Sequence, residues 1–262
     1  MPELPDLHIF SENLKKRILD KPISSVTVYN TRKIPTPDFY RQKITGTSIR
    51  DIVRDGKELF FLLANENCFS VHLMLSGKFF IGNQEEAEKI KSKILGLDFE
   101  IINQIFVISD IQNLCKVSLN PKPSGAPDVM SKKFTFAYFS GGIKRNEWRN
   151  IKSLLIDQSF ARGIGNAYVD EILWKADISP ESVSGKIPDE KLRDLYEAIP
   201  FVLNDAIENI MRISPDIISG EERSFLRVHN RNKEFTDEGD KIIVKTIAEK
   251  TTYFTEKQKK YT

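Results

Sequence analysis

The chain has 262 residues, 40% hydrophobic and 29% charged, enough to bury a full core in one or two domains. Lys and Arg total 39 against 37 Asp and Glu, a balance that permits a nucleic-acid partner without demanding one. Two cysteines and three scattered histidines exclude a disulfide framework and a Cys/His zinc cluster, and the absence of a secretory signal or long apolar stretch points to the cytoplasm.

The N-terminus reads Met1-Pro2-Glu3-Leu4-Pro5-Asp6, and Leu7, Phe10, Leu14 and Ile18 then share one helical face. A proline-started helix with an acidic first turn explains much of this, but not why Pro and Glu stand at the extreme terminus. Removal of Met1, expected before a small residue, leaves Pro2 as a free secondary amine beside the Glu3 carboxylate. Such an amine adds to an aldehyde carbon and loses water, giving a cationic iminium that acts as an electron sink.

From Ile23 to Ile108 the sequence predicts short strands at Ile23–Tyr29, Ile44–Val53, Glu58–Leu63, Cys68–Leu73, Lys78–Ile81, Phe99–Ile102 and Ile105–Ile108. Strands this closely spaced make a sandwich or barrel, with the charged run Glu85–Lys93 as a loop or surface helix. Lys57 lies in a turn, Arg54-Asp55-Gly56-Lys57-Glu58, where a solvated edge lysine is the plain reading. Cys68, beside Phe69 in an apolar run, reads as a buried inert thiol.

Asn120-Pro121-Lys122-Pro123-Ser124-Gly125-Ala126-Pro127 reads as a linker, dividing the chain into 1–124 and 125–262. Helices are predicted over Lys144–Phe160, Ala167–Lys175 and Asp189–Asn209. Between the first two stands Gly163-Ile164-Gly165-Asn166. The glycines permit positive φ and close backbone approach, and Asn166 as N-cap would leave the next helix with free N–H groups for an anion. Lys152 could add a cation to the same phosphate. A glycine turn that merely reverses the chain is the plainer alternative. The tail predicts a hairpin with strands Lys241–Ile247 and Thr251–Phe254, and from Lys241 to Thr262 it holds six Lys against two Glu.

The run Ile151–Pro180, IKSLLIDQSFARGIGNAYVDEILWKADISP, resembles the helix-two-turn-helix signature of the formamidopyrimidine-DNA glycosylase and endonuclease VIII family, which repairs oxidised bases. The PELP start resembles that family's catalytic terminus, and Gly56-Lys57 its Gly-Lys turn. The resemblance implies an α+β fold: an N-terminal helix and β-sandwich, then a helix-two-turn-helix domain ending in a β-hairpin finger. It implies a bifunctional DNA glycosylase and AP lyase in which Pro2 attacks the sugar, Glu3 manages protons and Lys57 assists strand cleavage.

His72-Leu73-Met74-Leu75-Ser76-Gly77 resembles the family's HLGMSG loop, whose Met wedges into the hole left by an extruded base; here Leu75 holds that position. Where family members carry DPRRF, this chain has Asp110-Ile111-Gln112-Asn113-Leu114, so Gln112 or Asn113 replaces the Arg and Leu114 the Phe. The tail keeps the outline of the family finger, but Thr255 and Gln258 occupy the last two cysteine positions and the upstream pair, near Phe235–Gly239, also lacks Cys. The resemblance is therefore to the zincless type, with no metal, no cofactor, and Lys250 in place of the finger Arg. Apolar contacts from Ile243, Ile247, Tyr253 and Phe254 would hold the hairpin.

The implied partner is double-stranded DNA carrying damaged bases or abasic sites, contacted by Lys152, Gly165, Asn166, Lys250 and Leu75. The implied setting is a cytoplasmic, nucleoid-associated monomer without a membrane contact. The short segment Ser214–Glu222 stands where 8-oxoguanine enzymes carry a longer loop, which favours oxidised pyrimidines or ring-opened purines. A non-catalytic DNA-binding module of the same fold is the rival reading. A mere binder has no need of Pro2, Glu3 and Lys57 together.

Overall fold

A computed structural model describes residues 1–262. The chain folds as two compact units whose segments interleave in sequence. The first comprises Met1–Pro2, Asp6–Pro123 and Ser214–Glu221; the second comprises Glu3–Pro5, Ser124–Ile213 and Glu222–Thr262. The elements in order are α1 (Leu4–Ile18), β1 (Ser25–Val28), α2 (Pro37–Ile44), β2 (Ile49–Asp55), β3 (Glu58–Leu63), β4 (Cys68–His72), β5 (Gly77–Gly82), α3 (Gln84–Glu88), β6 (Lys93–Phe99), β7 (Gln104–Asp110) and β8 (Lys116–Leu119). Then come α4 (Phe136–Arg145), α5 (Ile151–Leu155), α6 (Asn166–Lys175), α7 (Asp189–Ile213), β9 (Ile242–Ile247) and β10 (Lys250–Thr255).

The first unit holds two antiparallel four-stranded sheets, β1-β6-β7-β5 and β2-β3-β4-β8. Alternation along β3 buries Leu59, Phe61 and Leu63 while the residues between them stay half-exposed, the period of two that a half-covered strand requires. The core between the sheets is aromatic: Phe61 stacks on Phe69 at 4.5 Å and meets Phe106 at 5.5 Å, and Phe106 meets Phe79 at 5.4 Å. Leu7, Phe10, Leu14 and Ile18, the apolar face read from the sequence, seat α1 in this core. The segment Ser214–Glu221 docks on the same unit through Ile217 and Ile218.

The expected strand Ile44–Val53 is shorter and later, because Pro37 at the first turn and Asp38 beside it start α2, which buries Tyr40 and Ile44 one turn apart. The expected strand Phe99–Ile102 is a 3₁₀ turn, and the strand precedes it as β6, whose opening residue ends the charged run. Strand β8 was not foreseen.

In the second unit the expected helix Lys144–Phe160 holds only the last two residues of α4, most of which precedes it and was not expected, and the short α5. Asn146 ends α4, and the Asn150 side chain accepts the Ser153 N–H to start α5, so two asparagines compete with the helix for its backbone groups. Phe134, Phe139, Phe160 and Tyr196 form an aromatic cluster under α4 and α7. The chain's end runs beside residues 177–183, with Ser179 N–H donating to Lys259 O at 2.9 Å and Val183 N–H to Tyr261 O at 2.8 Å. No helix is long and apolar enough to cross a membrane.

Candidate active site and nucleic-acid interface

The loop Gly163–Gly165 is built by Gln158, which accepts the Gly163 N–H at 3.0 Å and donates to the carbonyls of Ile156 and Ile164 at 2.8 and 3.0 Å. Gly163 has φ +116°, which L residues rarely adopt, and a side chain there would strike Leu4. Gly165 is extended, at φ −120° and ψ −171°, so only half of the expected positive-φ pair exists. What Gly165 supplies is space: a Cβ on it would overlap the Glu3 carboxylate.

That carboxylate answers where the helix-terminal anion is. Gly165, not Asn166, caps α6, and the Ala167 N–H donates to Glu3 Oε1 at 3.0 Å. The positive end of the helix thus holds the chain's own buried Glu3 rather than an incoming phosphate. Gly165 accordingly seats Glu3.

Asn166 is the first residue of α6, and its Nδ2 donates to the Thr251 carbonyl of β10 at 2.9 Å. Lys152 also departs from expectation. Its side chain is fully buried, and Nζ donates to Asp170 Oδ1 at 2.8 Å and Thr252 Oγ1 at 2.6 Å. Burial holds its pKa down despite the Asp170 charge. An ammonium so enclosed is a structural tie and not a phosphate contact.

Asp170 carries the network further. Its Oδ2 accepts the Tyr253 N–H at 2.9 Å and lies 2.7 Å from His229 Nδ1, while the neighbouring Glu171 accepts the N–H groups of Arg227, Val228 and His229 at 3.1, 2.8 and 2.7 Å. Consecutive acids on α6 therefore hold the approach to the finger and the finger strand itself. Sequence reading missed both, although Asp-Glu facing inward on an apolar helix was a signal. Lys250 is exposed at the start of β10, where the Ala248-Glu249 turn presents it.

Zinc does not fit the finger, because the four positions offer neither thiolate nor imidazole, and nowhere do three His, Cys, Asp or Glu gather as metal ligands. Hydrogen bonds close each half instead. Thr255 N–H donates to Gln258 Oε1 at 2.9 Å, Gln258 Nε2 donates to Ile178 O at 2.8 Å, and Asp240 N–H donates to Thr236 Oγ1 at 3.1 Å. Lys257 links the halves through Asp240 at 2.7 Å. Of the four apolar residues expected to hold the hairpin, Phe254 is buried and the others are half-exposed; Ile242 joins it.

In the first unit, Lys57 lies half-buried in the two-residue turn between β2 and β3. His72 at the end of β4 accepts the Met74 N–H on Nδ1 at 3.0 Å, and burial together with the Lys57 and Lys116 charges pushes its pKa down to about 4. Beyond it, Leu75 is 58% exposed at the tip of its loop. Asp110 knots this loop to the next one, accepting from Ser76 Oγ and from the N–H groups of Gln112, Leu114 and Cys115. Burial raises the Asp110 carboxyl, but these bonds outweigh it and hold the pKa below the usual range.

The knot sets Ile111, 77% exposed, and Leu114 outward, leaves the Gln112 side chain exposed, and ties Asn113 to Asn30 at 3.0 Å. Cys115 is buried, its thiol pushed up to about 12 by burial and the nearby Asp110 charge. Cys68, expected to be buried, is half-exposed.

A model of the formamidopyrimidine-DNA glycosylase N-terminal domain matches residues 1–116, and one of the H2TH domain of the same enzymes matches residues 126–215. The formamidopyrimidine-DNA glycosylase of Protochlamydia amoebophila is 34% identical over 223 residues, covering 79% of this chain and 77% of its own. That of Enterococcus faecalis is 33% identical over 219 residues with the same coverage. The chain belongs to the formamidopyrimidine-DNA glycosylase family. Among solved structures, Lactococcus lactis Fpg in complex with abasic-site DNA aligns with a TM-score of 0.87 at 25% identity, over 99% of this chain and 100% of that one. MutM in complex with DNA containing carbocyclic 8-oxo-G aligns at 0.86 and 25%, with the same coverage. These likenesses span both units, and the family's sandwich, helix-two-turn-helix and terminal hairpin are all present.

Three expectations follow. Gly165→Ala should drive the Glu3 carboxylate off Ala167 and cost about 1–3 kcal/mol, the scale of a broken charged hydrogen bond, read as a lower urea midpoint. Purified protein should contain no stoichiometric zinc by elemental analysis, and chelation should leave its thermal midpoint unchanged. His72 should titrate near pH 4 by NMR, whereas the unfolded imidazole titrates near 6.5. The native state then binds fewer protons between these values, so stability falls as pH drops from 6.5 to 4, by at most about 3 kcal/mol, and His72→Gln removes that slope.

Proposed function

We propose that the protein is a bifunctional DNA glycosylase and AP lyase that removes oxidised bases through its N-terminal proline. The observation that carries this reading is Glu3, fixed on the N-terminus of α6 immediately after Pro2 in the chain. A carboxylate held by a backbone N–H cannot swing away, so proton transfer at the sugar has a positioned partner. Pro2 attacks the anomeric carbon of an extruded nucleotide and the base departs with the C1′–N bond pair and a proton. The sugar ring then opens: the C1′–O4′ pair leaves with O4′, which takes up a proton, as the nitrogen lone pair closes a cationic C=N bond. That iminium acidifies the adjacent C–H, and loss of that proton expels the 3′ phosphate. Lys57 assists at the sugar, and its neighbour His72 stays neutral at working pH, so one cation rather than two faces the reaction.

Leu75, with Ile111 and Leu114 beside it, fills the space an extruded base leaves; an apolar wedge between base steps needs no particular side chain. The exposed Gln112 amide faces the orphaned base. Lys250 and the second amide hydrogen of Asn166 meet phosphate, which positions the duplex without reading sequence. Lys250 carries the charge but not the bidentate fork of an arginine. The short segment Ser214–Glu222, standing where 8-oxoguanine enzymes carry a longer loop, favours oxidised pyrimidines or ring-opened purines as substrates. The protein acts as a monomer on DNA of the cytoplasmic nucleoid.

Borohydride trapping tests the reading. Met1-free protein incubated with an abasic-site duplex should give a covalent adduct, Pro2→Gly a weaker one, and protein retaining Met1 none. Glu3→Gln should lose base excision yet still trap on a pre-formed abasic site, and Lys57→Ala should slow strand cleavage without weakening binding. Met1-free protein that binds abasic DNA well and gives no adduct would leave only the non-catalytic binding module.

A further inference from the structure

The segment Ser214–Glu221 is a clamped strap. Asn13 Nδ2 on α1 donates to the carbonyls of Pro215 and Ile217 at 2.7 and 2.9 Å, and Arg17 donates to the Asp216 carbonyl at 3.0 Å. Ile217 and Ile218 add their side chains to the apolar core of the first unit. Three donor bonds and two apolar anchors fix the backbone of the strap from Pro215 to Ile218, three residues before its end.

The last residue of the strap is Glu221, whose Oε2 lies 3.0 Å from the amino group of Met1. Removing Met1 moves the free amine one residue along, to Pro2, about 3–3.5 Å away by backbone geometry. A carboxylate on a flexible side chain spans that shift. The Ala167 N–H holds Glu3 Oε1 on the end of α6, whereas the carboxylate in contact with the terminal amine is that of Glu221, from the strap.

We propose that Glu221 is the proton-transfer partner of the Pro2 amine in forming the iminium. This rests on the reading of Pro2 as the nucleophile. The secondary ammonium carries two N–H protons. One passes to Glu221, and the freed lone pair bonds to the aldehyde carbon of an abasic site while the C=O π pair moves to oxygen. The second N–H proton goes to that oxygen, giving a neutral carbinolamine. Glu221 then returns its proton to the hydroxyl, which leaves as water with the C–O pair as the nitrogen lone pair closes the C=N bond. Ammonium plus aldehyde thus gives iminium plus water, and Glu221 ends as it began.

The test is single-turnover borohydride trapping by Met1-free protein on a pre-formed abasic-site duplex, with the Kd for that duplex measured in parallel. Glu221→Gln should trap at least about tenfold more slowly, within the span of general acid–base effects, with Kd unchanged within about twofold. Glu221→Asp should recover most of the rate. Glu222→Gln, one residue on, where the carboxylate accepts the Ser224 N–H, should trap like wild type. Wild-type trapping by Glu221→Gln, or a slowing matched by an equal rise in Kd, would overturn the assignment while leaving Pro2 as nucleophile. Wild-type protein that gives no adduct would overturn both.

Discussion

The N–H of Ala167 donates to the Glu3 carboxylate at the positive end of α6, joining residues 164 positions apart in the chain. Much of the site depends on this contact. It requires a glycine at 165, because any Cβ would occupy the carboxylate's place. It requires Gly163 as well, because the backbone can bring the helix end there only through a left-handed conformation, with Leu4 packed against it. The glycine loop and the acidic terminus, which look like separate motifs in the sequence, are two sides of one interaction.

Elsewhere the chain reaches the family architecture with altered chemistry. Where a metal finger would use four thiolates, Thr236, Thr255 and Gln258 close the same turns with hydrogen bonds. Such bonds are individually weak, about 0.5–1.5 kcal/mol net, so the finger also needs its anchorage to the helices. The buried Lys152–Asp170 pair supplies part of it. Burying both charges is itself costly, but removing one partner strands the other, which makes the pair a strong constraint on geometry even where it adds little stability. The Asp110 knot plays the corresponding part in the sheet unit, turning two exposed loops into one rigid platform.

The sequence made some of this legible. Apolar spacing located α1, α6 and α7, and alternation located β3, because each buries one face whose period the residues declare. Pro2 and Glu3 could be singled out by residue type and position, and Lys57 only by the resemblance of its turn to the family's. Lys152 and Asn166 were legible as polar residues beside a helix start but not as to partner: each bonds to β10, roughly a hundred residues downstream, and no local pattern announces a contact made so far along the chain. Glu221 was invisible for the same reason, since it meets the N-terminus from 220 residues away in the chain. The break between α4 and α5 is set by Asn146 and Asn150, and the apolar pattern Ile151, Leu154, Leu155 begins only beyond it, so it announces neither the break nor α4.

The turn joining β9 to β10 carries a consequence for how the molecule assembles. Ala248 and Glu249 both take positive φ, at 50° and 60°, a conformation that Gly and Asn adopt readily and these residues do not. In the unfolded chain such a turn is scarcely populated, so the hairpin cannot nucleate its own pairing. Its register is enforced from outside, by Lys152, Asn166 and Asp170 gripping Thr251 to Tyr253. Pairing of the finger strands is thus coupled to the docking of α5 and α6, and hydrogen exchange of the finger amides should be faster than that of α6 and α7.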